Sequence, residues 1–183
     1  MQVVITGITG FRNRGVEALA DTAITQIGQL WPEAKFTIVT TDPAYDASRV
    51  GPGVRILRDS PSYFRQAGTQ RMLLRALAPR RRLDNVTRIL RTLREADLVF
   101  ASGGDIFSSD YGTGLLRRQL GLLEEAQRAG RPTAFLAHSI GPFKTKRELQ
   151  MTRPVLQAAA LVTVRESFTR SYLLDAMGLA PDK

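Results

Sequence analysis

The stretch Ser102-Gly103-Gly104-Asp105-Ile106-Phe107-Ser108-Ser109-Asp110-Tyr111-Gly112 gathers more polar chemistry than any other in the chain. Asp105 and Asp110 supply carboxylates, Ser108 and Ser109 hydroxyls, and Tyr111 a phenol. Gly103 and Gly104 carry no Cβ, so the backbone there can turn sharply or approach a ligand closely. The same spacing also suits a tight turn followed by a helix N-cap. Three further segments carry reactive types. Near the amino terminus, Gly7-Ile8-Thr9-Gly10 leads to Asn13, Gly15 and Glu17. The spacing of a dinucleotide fingerprint is not met, and Asp42 is only a loosely placed ribose contact. Gly15 and the amides after it instead form a helix start able to hold an anion. Asn13 stands there as a donor or as the helix cap, and Glu17 faces the loop one turn in. His138-Ser139 ends an apolar run. The histidine suits a proton donor or base, or a hydrogen-bonded structural residue, and no acid precedes it at triad spacing, which argues against a serine nucleophile. Arg165 follows another apolar run directly and can pair with a carboxylate or phosphate, or with the neighbouring Glu166.

The elements that must position these residues follow from hydrophobic period. Strands are expected at 2–6, 36–40, 54–57, 97–101, 132–137 and 161–164. Helices are expected at 15–30, about 62–78, 84–95, 114–129, 145–159 with a kink or break at Pro154, and from 167 to Met177, with Gly178 as its cap. This alternation predicts an α/β fold, a Rossmann-like parallel sheet with helices on both faces. Every glycine-bearing polar loop follows a strand, so right-handed crossovers gather all four along one sheet edge. That edge is the expected site.

Composition narrows the chemistry. The 183 residues contain no cysteine and one histidine, which excludes thiolate metal sites and leaves little for histidine-held zinc; no metal and no cofactor are expected. No signal peptide and no stretch of ~20 apolar residues stands out, so a cytoplasmic protein is expected. The net charge is +9, and eleven arginines between Arg55 and Arg94 face only Asp59 and Asp84. That block reads as a surface for anions or as solvated faces of amphipathic helices.

Five motifs occur in order: Gly7-x-x-Gly10-x-x-Asn13-x-Gly15-x-Glu17-Ala18-Leu19, Ser102-Gly103-Gly104-Asp105, Asp110-Tyr111-Gly112, Ser139-Ile140-Gly141-Pro142-Phe143 and Val164-Arg165-Glu166-Ser167. Together they resemble the polysaccharide pyruvyl transferase family. The resemblance implies a two-domain enzyme of glycosyltransferase-B-like arrangement. Residues 1–178 would be its amino-terminal domain, and 179–183 the start of a link to a second domain. It further implies transfer of a pyruvyl group from phosphoenolpyruvate, the donor substrate, to two sugar hydroxyls as a ketal, in bacterial exopolysaccharide or cell-wall polysaccharide synthesis. Asp105 and Glu17 would be the catalytic carboxylates. Asn13, Gly15, Gly103, Gly104, Tyr111, Ser139 and Arg165 would contact substrate, with Arg165 on the donor's anionic groups. The family's catalytic histidine belongs to the second domain, not to His138, so this chain alone is expected to be inactive. A lipid-linked acceptor would bring the arginine block against acidic lipid at the inner membrane face. Two other readings stay open: a nucleotide-sugar glycosyltransferase on the same architecture, and a basic nucleic-acid-binding module, against which stand few, scattered aromatics and no recognised motif.

Overall fold

The computed structural model describes residues 1–64, 80–102 and 104–181. Their elements in chain order are β1 (Gln2–Ile8), α1 (Arg14–Leu30), β2 (Lys35–Thr40), α2 (Pro43–Asp46), β3 (Arg55–Arg58), α3 (Pro61–Phe64), α4 (Arg80–Glu95), β4 (Leu98–Ser102), α5 (Thr113–Arg128), β5 (Thr133–His138), α6 (Lys146–Gln157), β6 (Leu161–Val164) and α7 (Ser167–Asp175). The strands form one six-stranded sheet in the order β3-β2-β1-β4-β5-β6, and every neighbouring pair is parallel. That is the doubly wound Rossmann order, whose direction reverses between β1 and β4.

Burial on both faces explains the apolar strands. Alternate residues of β1 point to opposite sides: Val3 and Ile5 pack with Val16, Ala20 and Ile38, while Val4 packs with Ile89, Leu93, Val99 and Leu120. Helix α1 therefore covers one face, and α4 and α5 cover the other. In α4 the spacing of Val86, Ile89, Leu90 and Leu93 buries one stripe and leaves Arg88, Arg91 and Arg94 in solvent. A buried ion pair between Arg118 of α5 and Asp59, just after β3, joins two elements far apart in sequence.

The expected elements are present, with three differences. Helix α4 starts at Arg80, four residues before its expected start, because nothing in the arginine triplet opposes helix. Helix α6 runs unbroken to Gln157 with Pro154 inside it. The carbonyl orphaned by the missing proline N–H belongs to the exposed Gln150 and can bond water. The short α2 forms between β2 and β3, where the hydrophobic period predicts no helix. The expected helix over 62–78 lies, beyond α3, outside the described residues, as do Arg65, Arg71 and Arg75. No described helix is long and apolar enough to cross a membrane.

Candidate functional site

Because all six strands run the same way, the segments that leave β1, β4, β5 and β6 emerge at one edge. Between those leaving β1 and β4, at the topological switch point, lies a cavity of about 600 Å³. Asn13, Gly15 and Thr22 line it from α1, Gly104, Asp105 and Tyr111 from the β4 exit, and Arg165 from the end of β6.

Each wall is fixed by identifiable bonds. Asn13 is the N-cap of α1, and its carboxamide oxygen accepts from the amides of Gly15 (3.0 Å) and Val16 (3.4 Å). Those amides are thus occupied by the cap. They are not free for an anion, contrary to the expectation from the glycine at the helix start. The preceding loop is tied down by Asp46, fully buried at the end of α2, whose carboxylate accepts from the Phe11 amide (2.8 Å) and the Thr40 hydroxyl (2.5 Å).

Across the cavity, the Tyr111 hydroxyl donates to Asp105 Oδ2 at 2.8 Å. The hydrogen bond to this carboxylate raises the phenol above its ordinary value, so Tyr111 remains a donor at neutral pH. Gly104 has φ +90°, and a Cβ there would lie 3.6 Å from Nη1 of Arg165. The positive φ, not a lack of space, calls for glycine here, and the guanidinium stands beside the turn that carries Asp105. Arg165 is half exposed, and its Nε lies 3.5 Å from Glu166 Oε1. Glu166 also accepts from the Ser139 hydroxyl at 2.8 Å and the Thr169 hydroxyl at 3.1 Å.

The segments behind the cavity interlock. Phe107 and Ile140 form an isolated parallel bridge, and the Gly141 amide donates to the Phe107 carbonyl at 2.8 Å. Glu148, buried in the first turn of α6, accepts from the hydroxyls of Ser109 (2.7 Å), Thr113 (2.6 Å) and Thr145 (3.0 Å). The Thr113 bond leads the causes that lower its pKa; burial opposes them, and the Ser109 and Thr145 bonds add to the lowering.

The sequence-predicted residues divide accordingly. Asn13, Gly15, Gly104, Asp105, Tyr111 and Arg165 converge on the cavity. Glu17 does not line it. Its carboxylate is held between Arg14 Nη1 and Arg49 Nε, both at 2.7 Å, on the side of α1 turned away from it. Ser139 spends its hydroxyl on Glu166, and Gly103 lies outside the described residues. His138 is wholly buried behind the cavity, and removal from water pushes its pKa down to about 4. One feature escaped the sequence reading: Gly15, Ala18, Leu19 and Thr22 share one helical face toward the cavity, a spacing readable in the sequence. Glu166, expected as the alternative partner of Arg165, lies beside it and takes the Ser139 hydroxyl as well.

No group of three or more His, Cys, Asp or Glu suited to a metal occurs among the described residues. What this arrangement can do is present a carboxylate with a phenol donor, and a cation near them, to one cavity. A polar ligand that carries both a hydroxyl and an anionic group fits that pattern.

Comparison with known proteins supports the fold and adds a family. The family model described as polysaccharide pyruvyl transferase matches residues 13–181. No curated protein matches the chain. Among solved structures, a protein described as a UDP-N-acetylglucosamine 2-epimerase from Listeria monocytogenes aligns with a TM-score of 0.53 at 14% identity, over 98% of this chain and 43% of that one. The E. coli heptosyltransferase WaaC with ADP-2-deoxy-2-fluoro heptose aligns with a TM-score of 0.43 at 11% identity, over 98% of this chain and 49% of that one. The chain therefore spans less than half of either, and the first likeness is one of fold.

Proposed function

The chain belongs to the polysaccharide pyruvyl transferase family, and from that premise we propose that its cavity serves pyruvyl transfer from phosphoenolpyruvate to a sugar. The observation that carries this reading is the meeting of the Asp105–Tyr111 pair and Arg165 on either side of Gly104 in one cleft.

In the reaction, two sugar hydroxyls add to C2 of the enolpyruvyl unit and inorganic phosphate leaves. One hydroxyl proton is balanced by the proton gained at the methylene carbon, which becomes a methyl group, and the other departs with phosphate. Asp105, oriented by Tyr111, takes the proton of an attacking hydroxyl. Arg165 pairs with the donor's carboxylate or phosphate, where charge changes during the step. Asn13, Gly15 and Gly104 shape the acceptor side. Arg165 is the one cation among the described residues that line the cavity. A donor with both a carboxylate and a phosphate needs more, so the isolated chain binds these groups without sustained turnover. Glu17, paired with two arginines, keeps α1 in place instead of acting as a second base.

The described arginines at 55, 58, 88, 91 and 94 are exposed and suit an acidic lipid leaflet carrying the acceptor. Co-sedimentation with vesicles that ignores their acidic lipid content ends that part of the reading.

The decisive assay follows phosphate release from phosphoenolpyruvate with a panel of sugar acceptors, using the protein that carries this domain in full. Release that depends on acceptor supports pyruvyl transfer. Tight nucleotide-sugar binding without any release moves the assignment to glycosyl transfer.

A further inference from the structure

We propose that His138 is a positioning residue: its imidazole fixes the Gly104 carbonyl and, through it, the turn that presents Asp105 to the cavity. The inference rests on the reading of Asp105 as the proton acceptor, since a fixed turn matters to the chemistry only then.

The position itself asks for an explanation. His138 ends β5 with no exposed surface, edge-on to Phe107 and Phe135 with ring centroids 4.8 and 6.1 Å away. A leucine would fill such a space without the cost of burying two ring nitrogens. Both nitrogens face backbone acceptors, of which a neutral ring can serve one. Nδ1 lies 2.7 Å from the Gly104 carbonyl oxygen and Nε2 lies 3.0 Å from that of Ala101. The ring therefore spans the exit of β4, from the strand on one side to the start of the site segment on the other. The Gly104 carbonyl also accepts from the Ser139 amide at 3.1 Å, so consecutive residues of the β5 exit hold one oxygen. Asp105 comes next in the chain, and its carboxylate is then aimed by Tyr111.

Neither carbonyl can donate, and a neutral imidazole carries one N–H. Burial keeps the ring neutral at pH 7. Asp105 and Arg165, the charged groups that act on it, push in opposite directions. The shorter contact assigns the proton to Nδ1, donated to Gly104.

One histidine in the chain makes the test direct. In the 183-residue wild type at pH 7, imidazole ¹⁵N shifts are expected to report the neutral form protonated at Nδ1; protonation at Nε2, or a cationic ring, overturns the proposal. Amide hydrogen exchange over residues 104–112 is then compared in His138→Phe, which keeps bulk but no donor, and His138→Asn, which keeps a donor near Nδ1. Exchange there is expected to rise about tenfold in His138→Phe, with β1 and β2 unchanged, and to return toward wild type in His138→Asn. Equal exchange in wild type and His138→Phe, or equal loosening in both variants, overturns it. If His138→Phe does not fold, the tautomer and His138→Asn still decide. These readouts make no use of activity, so a failure of acceptor-dependent phosphate release in the decisive assay overturns pyruvyl transfer and leaves this inference to stand or fall on exchange.

Discussion

Two concavities face opposite ends of the sheet, and the larger one holds less chemistry. The groove near the starts of β2 and β3 has a volume of about 960 Å³ and is lined by Asp21, Thr25, Gln29, Glu33, Lys35 and the Gly51–Val54 turn, among others. Among the described residues, none of its polar side chains is hydrogen-bonded to another. The cavity where β1 and β4 end has about 600 Å³, yet a carboxylate, a phenol and a guanidinium converge on it. The difference comes from direction. Connections that enter the strands of a parallel sheet are short and need only turn the chain. Those that leave them are braced by the next helix and by the neighbouring strand's exit, and can hold side chains toward one point. Volume is a poor guide here, and bracing is a better one.

The strongest contrast should appear in the reaction itself. Arg165→Ala is expected to lower acceptor-dependent phosphate release by about a hundredfold or more, whereas Lys35→Ala, in the larger groove, should leave the rate unchanged. Equal rates in the two variants would erase the distinction between the concavities.

Backbone substitutions sharpen the same contrast in stability. At Gly141, with φ +76°, a Cβ would stand 2.4 Å from Cε1 of Tyr172, whereas at Gly28, beside the groove in α1, it would meet nothing within 4 Å. Gly141→Ala should cost about 2–4 kcal/mol, read as a lower Tm. Gly28→Ala should instead stabilise by about 0.5–1 kcal/mol through helix propensity.

A smaller effect belongs to acid titration. Glu148 is held below its ordinary value of 4.5, so its contribution is complete above that pH and disappears as pH falls through the lower, folded-state value. His138 is held at about 4 against 6.5, so it removes stability as pH falls from about 6.5 toward 4. Glu148→Gln should lower stability at pH 7 by about 1–2 kcal/mol. In denaturant titrations it should keep the His138 window while losing the more acidic one. A variant whose pH profile parallels wild type down to pH 3 would show that Glu148 does not brace this edge.

How much of this was readable from the chain depended on whether a contact was local. Apolar runs placed all six strands, because burial on both faces leaves an unmistakable pattern. The strand–loop alternation placed Asp105, Tyr111 and Arg165 at one edge. What could not be read had distant partners. Helix α2 is shorter than two turns, and its reason lies in Asp46 reaching back to Phe11. Glu17 looked like a site carboxylate until Arg49, 32 residues away, claimed it. Ser139 looked like a substrate contact, but Glu166, 27 residues on, takes its hydroxyl. The Gly15 amide looked free because spacing alone leaves open whether Asn13 faces outward or caps the helix.

The central pairing of the sheet also has a history during synthesis. Strand β1 is made well before its partner β4: Thr6 and the Phe100 carbonyl are bonded across 94 residues of chain. At about 5–20 residues per second, a ribosome needs roughly 5–20 s to make that partner. Through that interval one edge of β1, with the apolar Val3, Val4 and Ile5, stays open to pairing with other chains. The segment made meanwhile is the one that carries eleven arginines between Arg55 and Arg94. Chains that share so dense a positive segment repel one another, which opposes pairing between open edges during that interval.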